Sequence, residues 1–501
     1  FIGNNAKNNT VPFYTDTNAN SKINFTGPTK VKMTKGAFIV KEASRYQAGV
    51  ATTNANGEIT DGTNYNGMSN VELDVSEEAK IVKNTIGGPT VIWNGPASLV
   101  TDIKNTTQFN KINAPISNYL LYYSNADYVI NTDSQLGNPT AVDSFDIIKM
   151  TREKVTINPS KKVYSTTGVG LQMASSNGAT SNAISGYENN GTVDISGEGA
   201  TKAAINISYG TIKNNGTVNI DKGAALYGTN GSKIENTNNG IVNVTNFGYG
   251  IVGMATGKSP KDYGRDVSTG MAVEIINNGQ INIAGDNAIA IYADDNKGVA
   301  LNEISISNSH KIFLDGNTSI GIALRDSKNS GSGGILNTTG SGSSDIVTGT
   351  NGIGIYTENS VINLNSNYGI ETKDGGVGIY AVKSSIPTAT TLEYKYSGSN
   401  LGRGIAVVYT GVNATNNTNI KLVNSTKTVG GLIGIFDNGQ GTFTNNGTIT
   451  GSSTTKEFGI IGESNNIINN GNINLSGANS TGMYAKYGVI NNNSTGTITI
   501  G

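Results

Sequence analysis

Several residue groups in this chain have types that could do chemistry, so their spacing decides what they can do. Asn131-Thr132-Asp133 and Asp294-Asp295 are candidate carboxylates for glycosidic-bond cleavage, a reaction that needs two acids within about 10 Å of each other. At positions 133 and 294 they lie far apart in sequence and are not expected to share a bond. The sole histidine, His310, stands in Ser309-His310-Lys311 with no Gly-Asp-Ser-Gly nucleophile elsewhere, which argues against a serine-protease triad. One histidine and no cysteine also exclude two-histidine and thiolate metal sites within one chain. Gly248-Tyr249-Gly250-Ile251-Val252-Gly253 has the spacing of a dinucleotide fingerprint, but no helix pattern follows it. Lys373-Asp374-Gly375-Gly376-Val377-Gly378 approaches a calcium-binding nonapeptide, yet Tyr380 stands where the next aspartate belongs. The expectation is a protein that is not an enzyme, with no cofactor and no metal.

Ligand contact is the remaining chemistry. The only tryptophan, Trp93, sits in Val91-Ile92-Trp93-Asn94-Gly95-Pro96, followed by Tyr119, Tyr122, Tyr123 and Tyr128. These aromatics either fill a local core or form an exposed binding face. Three stretches read as insertions in an otherwise regular pattern: 256–270, 327–344 and 384–400. The first carries Lys261, Asp262, Tyr263 and Arg265, and the third carries Tyr394 and Tyr396. Loops carry recognition on uniform scaffolds, so these residues are the candidate ligand contacts.

What positions them is a repeat. Asn189-Asn190-Gly191-Thr192-Val193-Asp194-Ile195 returns as Asn214-Asn215-Gly216-Thr217-Val218-Asn219-Ile220, and again at Asn238, Asn277, Asn445 and Asn469. The step from Asn189 to Asn214 matches that from Asn445 to Asn469 to within one position, while the much longer step from Asn238 to Asn277 requires an insertion. A second signature, Gly376-Val377-Gly378-Ile379-Tyr380, echoes Gly352-Ile353-Gly354-Ile355-Tyr356. Asn-Asn-Gly reads as a tight corner where positive φ is tolerated. Small residues alternating with branched ones suit the interior of a narrow tube. A unit of this size cannot bury its apolar face alone and must stack on copies of itself. The prediction is an all-β, right-handed parallel β-helix over 166–501, a rigid rod of about 24-residue coils, preceded by a less regular β-rich region over 1–165.

Composition agrees. Glycine reaches 66 against 9 prolines, and charged residues make up 14% of the chain, which leaves Asn, Ser and Thr to fill polar positions. The net charge of −1 offers no electrostatic capture of nucleic acid. No apolar run approaches the roughly 18 residues of a membrane helix. The sequence opens on Phe1 without a basic-then-apolar leader and stops at Gly501 within the repeat, so a longer parent protein with further coils is expected.

The interleaving of Asn-Asn-Gly-x-Ile-x-Ile with Gly-Ile-Gly-Ile-Tyr, in a cysteine-free, Asn-rich chain, resembles the passenger domains of large fusobacterial type V autotransporter adhesins. That family includes arginine-inhibitable and galactose-binding members. The resemblance covers roughly 166–501 and carries over no binding residue, because the matching motifs are structural. It implies an extracellular, monomeric passenger at the cell surface, attached through a C-terminal outer-membrane β-barrel or released. Its partners would be a host receptor protein, a galactose-type glycan or another bacterial surface. Two alternatives stay open: a structural stalk with the binding tip elsewhere, and a polysaccharide-degrading β-helix enzyme.

Overall fold

In the computed structural model, residues 154–501 are described except 167, 169, 175–185, 198–202, 209, 230, 256–272, 296–303, 327–333, 388, 399–402, 425–430, 453–455 and 464–465. Before residue 154 the description covers short strands and Asp133. Every described element is a strand, and every pairing between them is parallel. The chain divides into two units, one built from Phe1–Ile234 and Lys258–Thr269 and the other from Glu235–Gly257 and Gly270–Gly501.

In the first unit each coil visits three faces in turn. Tyr128–Ile130, Lys154–Ile157, Gly186–Asn189 and Thr211–Asn214 stack on face 1. Ser134–Gln135, Lys162–Ser165, Thr192–Ile195 and Thr217–Ile220 stack on face 2. Asp146–Ile148, Leu171–Ala174, Ala203–Ser208 and Gly223–Thr229 stack on face 3. The three-faced circuit is thus in place from Tyr128–Ile130 onward. Farther upstream, Phe13–Thr15, Phe38–Glu42, Val91–Asn94 and Leu121–Tyr122 also pair in parallel, with Trp93 in register with Val40 and Tyr122 next to Leu121 at the end of the set.

The second unit repeats the same circuit. Face 2 runs from Ile241–Val244 to Thr497–Ile500 and face 3 from Gly248–Met254 to Thr481–Ala485, each without a break in pairing. Coil length varies a little: Ile353 pairs with Val377, whereas Ile405 pairs with Ile433 across a slightly longer coil. Like positions form ladders: Ile281, Ile312, Ile346 and Ile370 follow one another inside the tube, all fully buried. Each such side chain contributes about 1.5–3 kcal/mol by leaving water, and only a neighbouring coil can cover it.

The polar half of the repeat is an amide ladder. The first asparagine of Asn189-Asn190-Gly191 points inward, and its side-chain N–H donates to its counterpart Asn214 one coil on at 2.8 Å; in the second unit Asn236, two residues ahead of Asn238-Asn239-Gly240, takes that place and donates to Asn277, which donates to Asn308. A second run links Asn416, Asn445, Asn469 and Asn492, each step at 2.8 Å. An amide can donate and accept at once, so the ladder satisfies buried polar groups that would otherwise be costly.

The glycine of that motif serves a different purpose from the one expected. None of Gly191, Gly216, Gly279, Gly447 or Gly471 has positive φ. Their constraint is room: a Cβ on Gly471 would come 2.0 Å from the Gly447 carbonyl oxygen, and one on Gly216 would come 2.1 Å from that of Gly191. The motif is a site of close backbone approach between coils rather than a left-handed corner. Left-handed residues lie instead on the turn into face 3, at Asn287, Thr318 and Asn351, with φ of 54°, 53° and 55°.

The second signature also needs correction. Of Val377-Gly378-Ile379-Tyr380, only Gly378 and Ile379 are buried, whereas Val377 and Tyr380 face outward. Outward rows of Ile289, Ile320, Ile353, Val377 and Ile405 and of Tyr292, Tyr356 and Tyr380 thus run along face 3. They cover one another's flanks, as where the Tyr356 and Tyr380 rings stack at 5.8 Å.

Candidate functional site

The expected ligand contacts separate into three sets. Lys261, Asp262, Tyr263, Arg265 and Tyr123 lie outside the described residues. The long step after Asn238 is nonetheless located: Ile241 pairs directly with Gln280, and the extra length falls between Gly248–Met254 and Glu274–Asn277. Trp93 and Tyr122 belong to paired strands whose side chains are likewise outside the described set.

Tyr394 and Tyr396 are buried strand residues rather than exposed loop aromatics. The stretch 384–400 is no insertion; it contains the face 2 strand Thr391–Tyr396, paired with Tyr368–Thr372 and Asn419–Asn424. Both rings are fully buried. The Tyr394 hydroxyl lies 2.7 Å from Thr372 Oγ1 and donates to the Gly376 carbonyl at 3.0 Å, while the Tyr396 hydroxyl donates to Asp374. Face 3 makes room for them, since a Cβ on Gly378 would stand 3.0 Å from Tyr394 Cδ2. The alternation in Thr-Leu-Glu-Tyr-Lys-Tyr was the available signal. In 327–344, the described part holds another coil strand, Gly334–Thr338, and a turn whose Ser341 and Gly342 amides donate to the Asp345 carboxylate at 2.8 and 3.1 Å.

The candidate catalytic groups have structural partners. Asp133 Oδ1 accepts the Lys162 amide at 2.9 Å. Buried Asp294 accepts from the Tyr292 hydroxyl and from Arg325 Nη1 at 3.4 Å, and Arg325 Nε reaches Glu358 at 3.2 Å. Burial, and then the hydrogen bond to Asp294, push the Tyr292 hydroxyl up to about 12. His310 is exposed just before the strand Ile312–Leu314. Gly248–Gly253 lies within a face 3 strand, where Gly250 and Gly253 accommodate neighbouring side chains and main chain of the next coil rather than a pyrophosphate.

A concave site was not anticipated. In the second unit, face 1 is two sheets. The first ends at Ser360–Leu364 and the second begins at Thr415–Asn416. The coil between them supplies only Lys383-Ser384-Ser385-Ile386-Pro387, joined by the single bridges Val361 to Ser385 and Ile386 to Asn416. Pro387 has no N–H to extend a ladder. The Ser360 amide donates to Ser384 Oγ at 3.1 Å, so a side chain stands in for a backbone partner. The missing strand leaves a notch of about 540 Å³. Its lining is hydroxyls, amides and main chain, including Asn359, Ser385, Asn413 and Thr415, with Val412 and Pro387 among its apolar surfaces and Lys383 as the one charge among the described residues. Val412 is 67% exposed. Among the described residues, no ion pair reaches Lys383.

The sequence clue to the notch was the run Ser-Ser-Ile-Pro where other coils carry an alternating strand. No family model, curated protein or solved structure matches the chain.

Proposed function

We propose that this chain is the binding passenger of a bacterial surface adhesin and that the notch takes a saccharide displayed on a host cell or another bacterium. The observation that carries this reading is the notch itself, the place where a regular face 1 is interrupted and a mostly uncharged, hydrogen-bonding concavity results. Sugar hydroxyls both donate and accept, which matches a lining of Ser, Thr and Asn side chains. The exposed Val412 and Pro387 give the C–H surface of a pyranose an apolar contact. A single shallow site binds weakly, and many copies on a cell surface would make it effective. Display at the cell surface through a membrane barrel outside this chain follows from the resemblance to type V passengers.

A second reading, a spacer that holds a binding tip elsewhere, is favoured by the unbroken pairing of faces 2 and 3 in the second unit. Flow cytometry of labelled chain on epithelial cells separates the two. Mild periodate treatment of the cells, which opens sugar diols, is expected to abolish staining. Absence of staining on untreated epithelial and bacterial cells would favour the spacer.

A further inference from the structure

The notch has one feature that a site for neutral sugar does not need. Lys383 is an exposed cation at its edge, and among the described residues the lining contains no carboxylate. Glu358, in register with Val382 just before it, is taken by Arg325. Lys383 also adopts a left-handed backbone, with φ of 46°. At the same corner the preceding coil has Asn359, with φ of 49°, and the following coil has Gly411, with φ of 139°. Those are the residue types that tolerate such a conformation, while lysine adopts it at a cost of about 1 kcal/mol. The corner is held by the Asn359 amide donating to the Val382 carbonyl at 2.9 Å and the Lys383 amide donating to that of Thr410 at 2.7 Å. The lysine stem lies along Gly411, where a Cβ would come 3.3 Å from Lys383 Cγ. A strained, uncompensated lysine is therefore presented at the rim of a hydroxyl-lined cavity, where asparagine or glycine would relieve the backbone.

We infer that the notch recognises a carboxylated saccharide, with Lys383 taking the carboxylate while Ser385, Asn413 and Thr415 meet the hydroxyls. This rests on the saccharide reading above and adds the ligand's charge. Sialic acids and hexuronic acids share the chemistry, and a binding series distinguishes them.

The test is a titration of the purified 501-residue chain with three probes: a sialylated galactose oligosaccharide, its desialylated counterpart and a short oligomer of galacturonic acid. At least one acidic probe is expected to bind about tenfold or more tightly than the neutral one, as a charge-assisted hydrogen bond requires, and to weaken with added salt. Lys383→Asn, which suits the left-handed backbone, is expected to bring acidic affinity down to the neutral level. Lys383→Arg should retain the preference. Equal affinity for acidic and neutral probes, or a Lys383→Asn variant that still prefers the acid, would overturn the charge assignment while leaving the saccharide reading standing. Failure of all three probes and of a broad glycan panel would overturn both.

Discussion

The hydroxyl of Tyr394 occupies the space that a side chain on Gly404 would need: a Cβ there would lie 2.4 Å from the Tyr394 oxygen. A glycine on one coil and a ring on another are thus a single packing unit. Gly404→Ala forces a buried, hydrogen-bonded ring to move and is expected to cost about 1–3 kcal/mol. Tyr394→Phe keeps the shape, loses the bonds to Thr372 and Gly376, and is expected to cost about 1 kcal/mol. Urea unfolding midpoints measure both, and a Gly404→Ala variant as stable as wild type would refute the packing.

The inner amide ladder should matter far more than the outer one. Asn445 is buried and both donates to Asn469 and accepts from Asn416. Asn445→Ala strands one donor and one acceptor, and should cost about 2–4 kcal/mol. Its neighbour Asn446 makes an exposed bond to Asn417, so Asn446→Ala should change stability by less than about 0.5 kcal/mol. Equal effects in thermal melts would contradict the inward assignment.

Two groups contribute at opposite ends of the pH profile. Burial acts to raise the Glu371 carboxyl, but hydrogen bonds from Lys395, Ser344 and Ser397 outweigh it and hold its pKa below the ordinary 4.5. Its stabilising contribution is therefore complete above that value and lost as pH falls through the depressed pKa. Tyr292 is raised from 10.0 to about 12, so its contribution is complete below pH 10.0 and lost as pH rises towards 12. Glu371→Gln should make only the acid limb of a melting-temperature profile shallower, and Tyr292→Phe only the alkaline limb, to which other buried tyrosines with raised pKa also contribute. A variant that flattens the wrong limb would show the assignment to be mistaken.

Much of the fold was legible because a solenoid writes its contacts into its own repetition. The Asn-Asn-Gly spacing placed Asn189 over Asn214 and Asn445 over Asn469, and the structure stacks them so. The reasons behind the pattern were harder to read. Glycine permits positive φ and also permits close approach, and only the Gly471 contact with Gly447 shows that the second applies. The branched residues of the Gly-Val-Gly-Ile-Tyr signature divide between inside and outside because Gly378 and Ile379 are both buried. Tyr394 and Tyr396 looked like loop aromatics since their coil departs from the signature, although their own alternation marks a strand. The notch escaped notice because it is a missing strand. Its cues are Pro387 and an incomplete alternation, and its walls come from three coils between Asn359 and Asn417.

The most direct test of the binding site is to fill it. Ser385 is exposed within the notch, and Ser385→Trp would occupy a large share of its volume without entering the core. Cell staining by wild-type and Ser385→Trp chains, compared at matched melting temperature, should show binding by the first and its loss in the second. Full staining by a folded Ser385→Trp chain would contradict the notch as the site of attachment.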